Sequence, residues 1–211
     1  MSTKSLLIKV CGMCDTQNIQ ALAELNPDYM GFIFYEKSPR YAASVDKSVL
    51  ASLPSSIKKV GVFVSESVEV MRATAQTYGL DSLQLHGGET PLQCLQLREE
   101  DYILFKAFSI AEAADFEILE EYEGCCDYFL FDTKTSGHGG SGEKFDWSLL
   151  DHYKGETPFF LSGGIDLDDV EAIKNITHPQ LVGVDVNSRF ELEPGLKDID
   201  KLKTFMEKIR S

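Results

Sequence analysis

The chain has 211 residues, 43% hydrophobic and 26% charged, with a formal net charge of −14 from 20 basic and 34 acidic side chains. That field offers no basic surface to nucleic acid or to an anionic membrane, so neither is expected as a partner. No apolar run approaches the ~20 residues needed to span a bilayer, and Met1-Ser2-Thr3-Lys4-Ser5 carries no signal-cleavage pattern, so a cytoplasmic location is expected.

Along the chain, short apolar runs alternate with helix-compatible segments. Residues 6–10 break at Cys11-Gly12 and lead to a helix expected over 16–25. Strands are then expected at 29–34, 59–64, 82–85, 102–108, 128–131, 158–161 and 181–184. The helices between and after them are expected at 46–53, 68–78, 91–99, 111–122, 146–152, 167–174 and 196–209. Most of the apolar runs are continuous rather than alternating, as expected for strands buried on both faces. Eight strand–helix units with a repeat of roughly 25 residues predict a single-domain (β/α)8 TIM barrel, an α/β fold spanning residues 1–211. A doubly wound open sheet is the rival, since alternation alone does not prove closure; the count of eight favours the barrel.

In a barrel the chemistry sits at the C-terminal ends of the strands. The first such end is Cys11-Gly12-Met13-Cys14. A thiol at a helix N-terminus has its pKa lowered and can act as a base or nucleophile. The same four residues form a C-x-x-C and also read as a redox pair. Five cysteines, an odd number in a chain without secretory signals, favour free thiols over a disulfide framework.

Ser38-Pro39-Arg40 ends the loop after the second strand. Arg40 suits bidentate capture of a carboxylate, with a plain surface arginine as the competing reading. Gln84 and His86 end the fourth strand, where a histidine hydrogen-bonded within the rim is the simpler expectation. Asp132 projects from the sixth strand end beside an apolar wall, a setting that suits a general acid; a loop-capping aspartate is the bland alternative. The run from Asp132 to Gly142 holds four glycines and reads as a flap able to close on a substrate.

Gly163-Gly164 lets an anion approach the backbone, and the helix that follows is expected to present free N–H groups. Asp185, Asn187 and Ser188 follow the eighth strand. Phosphate sites in the loops after strands seven and eight recur in barrels, although a Gly-Gly also serves as a mere tight turn.

The stretches Lys9-Val10-Cys11-Gly12-Met13, Gly31-Phe32-Ile33-Phe34 with Ser38-Pro39-Arg40, and Val60-Gly61-Val62-Phe63-Val64 occur in order. They are followed by Leu83-Gln84-Leu85-His86-Gly87, Phe131-Asp132-Thr133 with Gly139-Gly140-Ser141-Gly142, Leu161-Ser162-Gly163-Gly164 and Val184-Asp185-Val186-Asn187-Ser188. Together they resemble the phosphoribosylanthranilate isomerase family of tryptophan biosynthesis. The resemblance implies a (β/α)8 barrel performing an Amadori rearrangement of N-(5-phosphoribosyl)anthranilate. It implies Asp132 as general acid, Cys11 as base, and Arg40 on the anthranilate carboxylate. Gly163, Gly164, Asn187 and Ser188 would bind phosphate, and Asp185 would contact the anthranilate end. No metal or organic cofactor is implied, because proton transfers suffice. The expected partner is a small phosphorylated substrate, and the expected state a monomer or homodimer. Where many members read Ser-Gly-Val-Glu, this chain has Ser188-Arg189-Phe190-Glu191, which narrows the backbone approach and adds a guanidinium.

A related aminoaldose isomerase of histidine biosynthesis would use two aspartates, which Cys11 argues against. From other classes, a redox-active thiol protein and a barrel that binds phosphorylated ligands without catalysis are the competing readings.

Overall fold

The computed structural model describes residues 6–133 and 146–211. The first unit is β1 (Leu7–Val10) and α1 (Thr16–Glu24), followed by β2 (Tyr29–Ile33) and α2 (Lys47–Ala51). Next come β3 (Lys58–Phe63), α3 (Val68–Tyr78), β4 (Ser82–Leu85) and α4 (Pro91–Arg98). β5 (Ile103–Ile110) leads into a 3-10 helix over Ala113–Tyr122, and β6 (Tyr128–Thr133) precedes another over Trp147–His152. β7 (Phe159–Leu161) is followed by a 3-10 turn, Leu167–Asp169, that runs into α5 (Val170–Lys174). β8 (Leu181–Val186), a 3-10 turn at Ser188–Phe190, a small hairpin of β9 (Glu191–Glu193) and β10 (Leu196–Lys197), and α6 (Ile199–Arg210) complete the chain.

The eight long strands form a closed parallel barrel in sequence order, with β1 paired to β8 from Leu7↔Gly183 to Val10↔Val186. The open sheet is thereby ruled out. The helices start where short polar side chains can accept backbone N–H bonds. Asp15, Ser67 and Asp198 each do so, and Thr90 and Gln93 form a capping box in front of Pro91.

Two cores result from the two faces of each strand. Ile19 and Leu22 of α1, Met71 of α3 and Phe205 of α6 belong to the core between helices and barrel. Inside the barrel, Tyr29, Val60, Phe105, Leu130 and Phe160 pack on one another, with the Phe105 ring 5.3 Å from Tyr29 and 5.2 Å from Phe160. Burying each such side chain is worth about 1.5–3 kcal/mol, so the interior is a packed plug rather than a pore. Residues two and four positions further along the same strands therefore reach the C-terminal mouth.

Three expectations change. Residues 111–122 and 146–152 were expected as ordinary helices but wind as 3-10 segments. In the first, the buried side chains are Phe116 and Leu119. A spacing of three places them on one line of a three-residue turn, so the tighter helix suffices to bury both. In the second, only Leu150 is buried, too little apolar surface to select an α-helix. Residues 196–209 do not form one helix either. Leu196 and Lys197 pair with the β9 strand, and the helix starts at Ile199 behind Asp198. The run Gly139-Gly140-Ser141-Gly142 and the rest of the expected flap beyond Thr133 lie outside the described residues.

Candidate active site

A cavity of about 330 Å³ opens at the C-terminal mouth of the barrel. Cys11, Arg40, Asp132, Gly163, Gly164, Asp185, Asn187 and Ser188 all line it, together with Gln84, His86 and Arg189. The eight residues singled out in the sequence come from five separate strand ends, and the structure brings every one of them to this single space.

Cys11 continues β1. Its backbone N–H donates to the Val186 carbonyl at 2.9 Å, which fixes the thiol at the seam where the barrel closes. Gly12 follows with φ of +79°, and a Cβ there would lie 2.7 Å from both Arg40 Cδ and Asn187 Oδ1. The chain turns out of β1 in a left-handed conformation that lets these two side chains close over it. The thiol is not at a helix end, however. α1 begins at Thr16, and Asp15 accepts its Asn18 N–H. Burial pushes the Cys11 thiol above its ordinary pKa, opposed chiefly by the Lys9 ammonium. The expected lowering by the helix is therefore replaced by a contest between burial and a lysine.

The two cysteines of the C-x-x-C are not joined by a disulfide. All five cysteines are free thiols, and Cys14 donates to the Gly195 carbonyl in the β9–β10 turn at 3.6 Å.

Asp132 is the second-last residue of β6, inside the strand rather than beyond it. Its Oδ1 accepts the Thr133 N–H at 2.8 Å. Its Oδ2 lies 3.5 Å from His86 Nε2. Gln84 Nε2 stands 2.8 Å from His86 Nδ1, and an amide N–H donating there leaves the ring proton on Nε2, facing Asp132. His86 thus orients Asp132, as the rim-histidine expectation had it.

Arg40 is carried by the loop after β2, which is tied back by the Ala42 N–H to the Ile33 carbonyl and by Ser38 Oγ accepting the Arg40 N–H. Its guanidinium is clamped by Glu191, with Nε to Oε1 at 2.8 Å and Nη2 to Oε2 at 2.7 Å. Lys197 completes a cluster, donating to Asn187 Oδ1 at 2.6 Å and Glu191 Oε1 at 2.7 Å. Burial would raise the Glu191 pKa, but Arg40 and Lys197 outweigh it and hold the carboxyl below its usual range.

Gly163 and Gly164 both take positive φ, +86° and +63°. The next N–H groups are not free as expected: Asp169 accepts from Asp166 N–H at 2.7 Å, and Asp166 accepts from Leu167 N–H. Lys201 of α6 pairs with Asp166 at 2.8 Å and donates to the Arg189 carbonyl at 2.7 Å, strapping the loops after β7 and β8 together. A Cβ at Gly163 would collide with Thr133 Oγ1 and lie 2.7 Å from Thr133 N and 2.8 Å from Asp132 Oδ1. Gly163→Ala is therefore expected to destabilise the fold by about 1–3 kcal/mol and to displace Asp132, lowering kcat/KM at least tenfold. Thermal melting and steady-state kinetics on the variant check both effects.

Lys9, Glu191 and Lys197 were not foreseen as parts of the site. Lys9 carries the one available signal, a charge within an apolar strand.

A family model described as N-(5'phosphoribosyl)anthranilate (PRA) isomerase matches residues 8–208. The chain belongs to that isomerase family. An N-(5'-phosphoribosyl)anthranilate isomerase from Parabacteroides distasonis is 54% identical over 206 residues, 97% of this chain and 93% of the relative. A phosphoribosyl anthranilate isomerase crystallised with reduced 1-(o-carboxyphenylamino)-1-deoxyribulose 5-phosphate superposes with a TM-score of 0.81. It is 30% identical, with 97% and 98% of the two chains covered. Crystals of generated monomers of the dimeric isomerase from Thermotoga maritima give a TM-score of 0.79 at 31% identity, again covering 97% and 98%. The fold expected from the eight repeats and the isomerase family expected from the motifs are both borne out. This chain is accordingly an enzyme of tryptophan biosynthesis, an isomerase.

Proposed function

We propose that the barrel mouth converts N-(5-phosphoribosyl)anthranilate to 1-(2-carboxyphenylamino)-1-deoxyribulose 5-phosphate by acid–base catalysis, with Cys11 as base and Asp132 as acid. The observation that carries this assignment is that a thiol from β1 and a carboxyl from β6 line one cavity, separated by the two loops that follow β7 and β8. A phosphate seated against Gly163, Gly164, Asn187 and Ser188 would hold the ribose between the two groups. Arg40 and Asp185, which line the same cavity, would then face the anthranilate end.

In this reading Asp132 donates a proton to the ribose ring oxygen as the C1–O bond breaks, and the opened sugar becomes a protonated Schiff base. Cys11, as thiolate, takes the C2 proton. The C–H electron pair moves toward the iminium nitrogen and gives the enolamine. Tautomerisation then adds a proton at C1 and removes one from the C2 hydroxyl, so the thiol and the carboxylate return to their starting states.

The arrangement also explains how a chain of net charge −14 accepts an anionic sugar phosphate. Lys37, Arg40 and Arg189 line the mouth, where local donors matter more than the overall field. We read residues 1–211 as one domain acting in the cytoplasm, as monomer or homodimer, on a small phosphorylated substrate and without nucleic acid or membrane partners. Among the described residues no helix is long and apolar enough to cross a membrane.

The test is fluorimetric. The anthranilate-type emission of freshly generated substrate should change at a rate proportional to enzyme; binding without turnover would instead give a single stoichiometric step and would overturn the assignment. In the same assay Arg40→Ala is expected to raise KM by about 10–100-fold, with a smaller change in kcat, because the lost charge-assisted bonds hold substrate before and after the chemistry alike.

A further inference from the structure

Lys9 is the least expected side chain in the barrel: a lysine with no solvent exposure, in the middle of an apolar strand. It stands beside Asp185 in the β1–β8 register, and its Nζ donates to Asp185 Oδ1 at 2.9 Å. Two residues further along the chain, just past the end of β1 and on the same face, is Cys11, whose ionisation the same ammonium favours. On the other side of the thiol, Gly31 of β2 leaves room that any side chain would fill: a Cβ there would lie 2.9 Å from Cys11 Sγ. The thiol is thus seated by a bare glycine on one strand and a buried cation on its own.

Burial by itself works against charge on Lys9, but Asp185 and Cys11 outweigh it and keep the group above the usual lysine range, an ammonium at every working pH. The other charged groups acting on Cys11 are Asp185 of β8, Lys197 of β10 and Arg40 after β2. Asp132 of β6 and His86 after β4 act on Asp185 in turn. Of the cations, Lys197 is committed to Asn187 and Glu191, and Arg40 to Glu191. Lys9 alone of the three stands on the strand that carries the thiol, on its face, and it is the cation that most strongly opposes the effect of burial.

We propose that Lys9 is the positioning residue that makes Cys11 a competent base: its ammonium, anchored by Asp185, is the counter-charge on which the Cys11 thiolate forms. The inference rests on the base role proposed above for Cys11. When the thiolate takes a substrate proton, an S–H bond forms and the Lys9 charge is left to Asp185. When the proton leaves again, Lys9 stabilises the returning thiolate. Lys9 keeps its own protons throughout and touches no substrate atom.

The experiment titrates Cys11 directly. Thiolate absorbance in the ultraviolet is followed against pH, and the Cys11→Ala protein is subtracted to isolate this thiol. Lys9→Met is expected to move the Cys11 midpoint upward by about 1–3 pH units, because loss of a nearby cation disfavours the anion. The acid limb of the kcat profile should move up in parallel, with KM nearly unchanged and turnover recovering at high pH. Lys9→Arg, which keeps the charge, should stay close to the parent midpoint. A merely structural lysine would lower turnover equally at all pH and leave the midpoint in place, and that result overturns the proposal. If Lys9→Met does not fold, Lys9→Met/Asp185→Asn is compared with Asp185→Asn, and an equal midpoint in those two proteins overturns it as well. Retained turnover in Cys11→Ala would sink the base assignment on its own, while the thiol titration would still report whether Lys9 governs the ionisation of Cys11.

Discussion

Cys11→Ala is expected to lower kcat by about 10³-fold or more while the protein remains folded. The size of the loss follows from the chemistry. Removing a proton from C2 of the Schiff base needs a basic atom within reach, and Cys11 is the only thiol lining the cavity among the described residues. The structural cost should be small by comparison. Truncating one buried sulfur opens a minor cavity beside Gly31, worth about 1 kcal/mol. Steady-state turnover together with a thermal melt separates the two effects. Near-normal turnover in a well-folded variant would show that another group takes the proton. Cys14, whose thiol is engaged by the Gly195 carbonyl, serves as the natural control.

Asp132→Asn should have a comparable effect, a fall in kcat of about 10²–10⁴-fold. The amide matches the carboxyl in shape and can keep the Thr133 N–H contact through its oxygen, while its NH2 group gives up acceptance from His86. What it lacks is a proton to give to the ribose ring oxygen. Because ring opening precedes deprotonation at C2, the variant should stall with substrate bound, and KM should change much less than kcat. Single-turnover mixing of enzyme and substrate checks this. Unimpaired ring opening would move the acid role elsewhere, with His86, 3.5 Å from Asp132, as the nearest proton-bearing group.

The barrel was legible because parallel strands buried on both faces leave continuous apolar runs, and eight of them occur at even spacing. The place of the candidate site was legible for a related reason: Cys11, Asp132, Ser162 and Asp185 each follow directly on such a run at its C-terminal end, and all four line the cavity. What the sequence concealed depends on distant partners. Lys9 is a plain lysine until Asp185, far away in the chain, is known to lie beside it. Lys197 was lost inside a segment whose apolar residues Leu196, Ile199, Leu202 and Phe205 repeat like a helix. Its two-residue strand pairs with a polar one, Glu191–Glu193, which leaves no hydrophobic trace. The thiol's supposed helix dipole failed for a local reason, since Asp15 starts α1 well past Cys11.

The closure of the barrel between β1 and β8 also bears on when the enzyme becomes active. Lys9 and Cys11 lie in and just after the first strand of the barrel, whereas Asp185 and Asn187 lie in and just after its eighth, and the Lys9–Asp185 contact spans 176 positions. Lys201, which straps the loops after β7 and β8 together, is later still. A nascent chain therefore carries Cys11, the proposed base, long before Asp185 and the loops after β7 and β8 are there to complete the cavity around it. Contacts of such long sequence separation close late because they must overcome the entropy of the intervening chain. Turnover should thus appear only with the final docking of β8 and α6, and refolding followed by activity would report the last step of folding rather than the first.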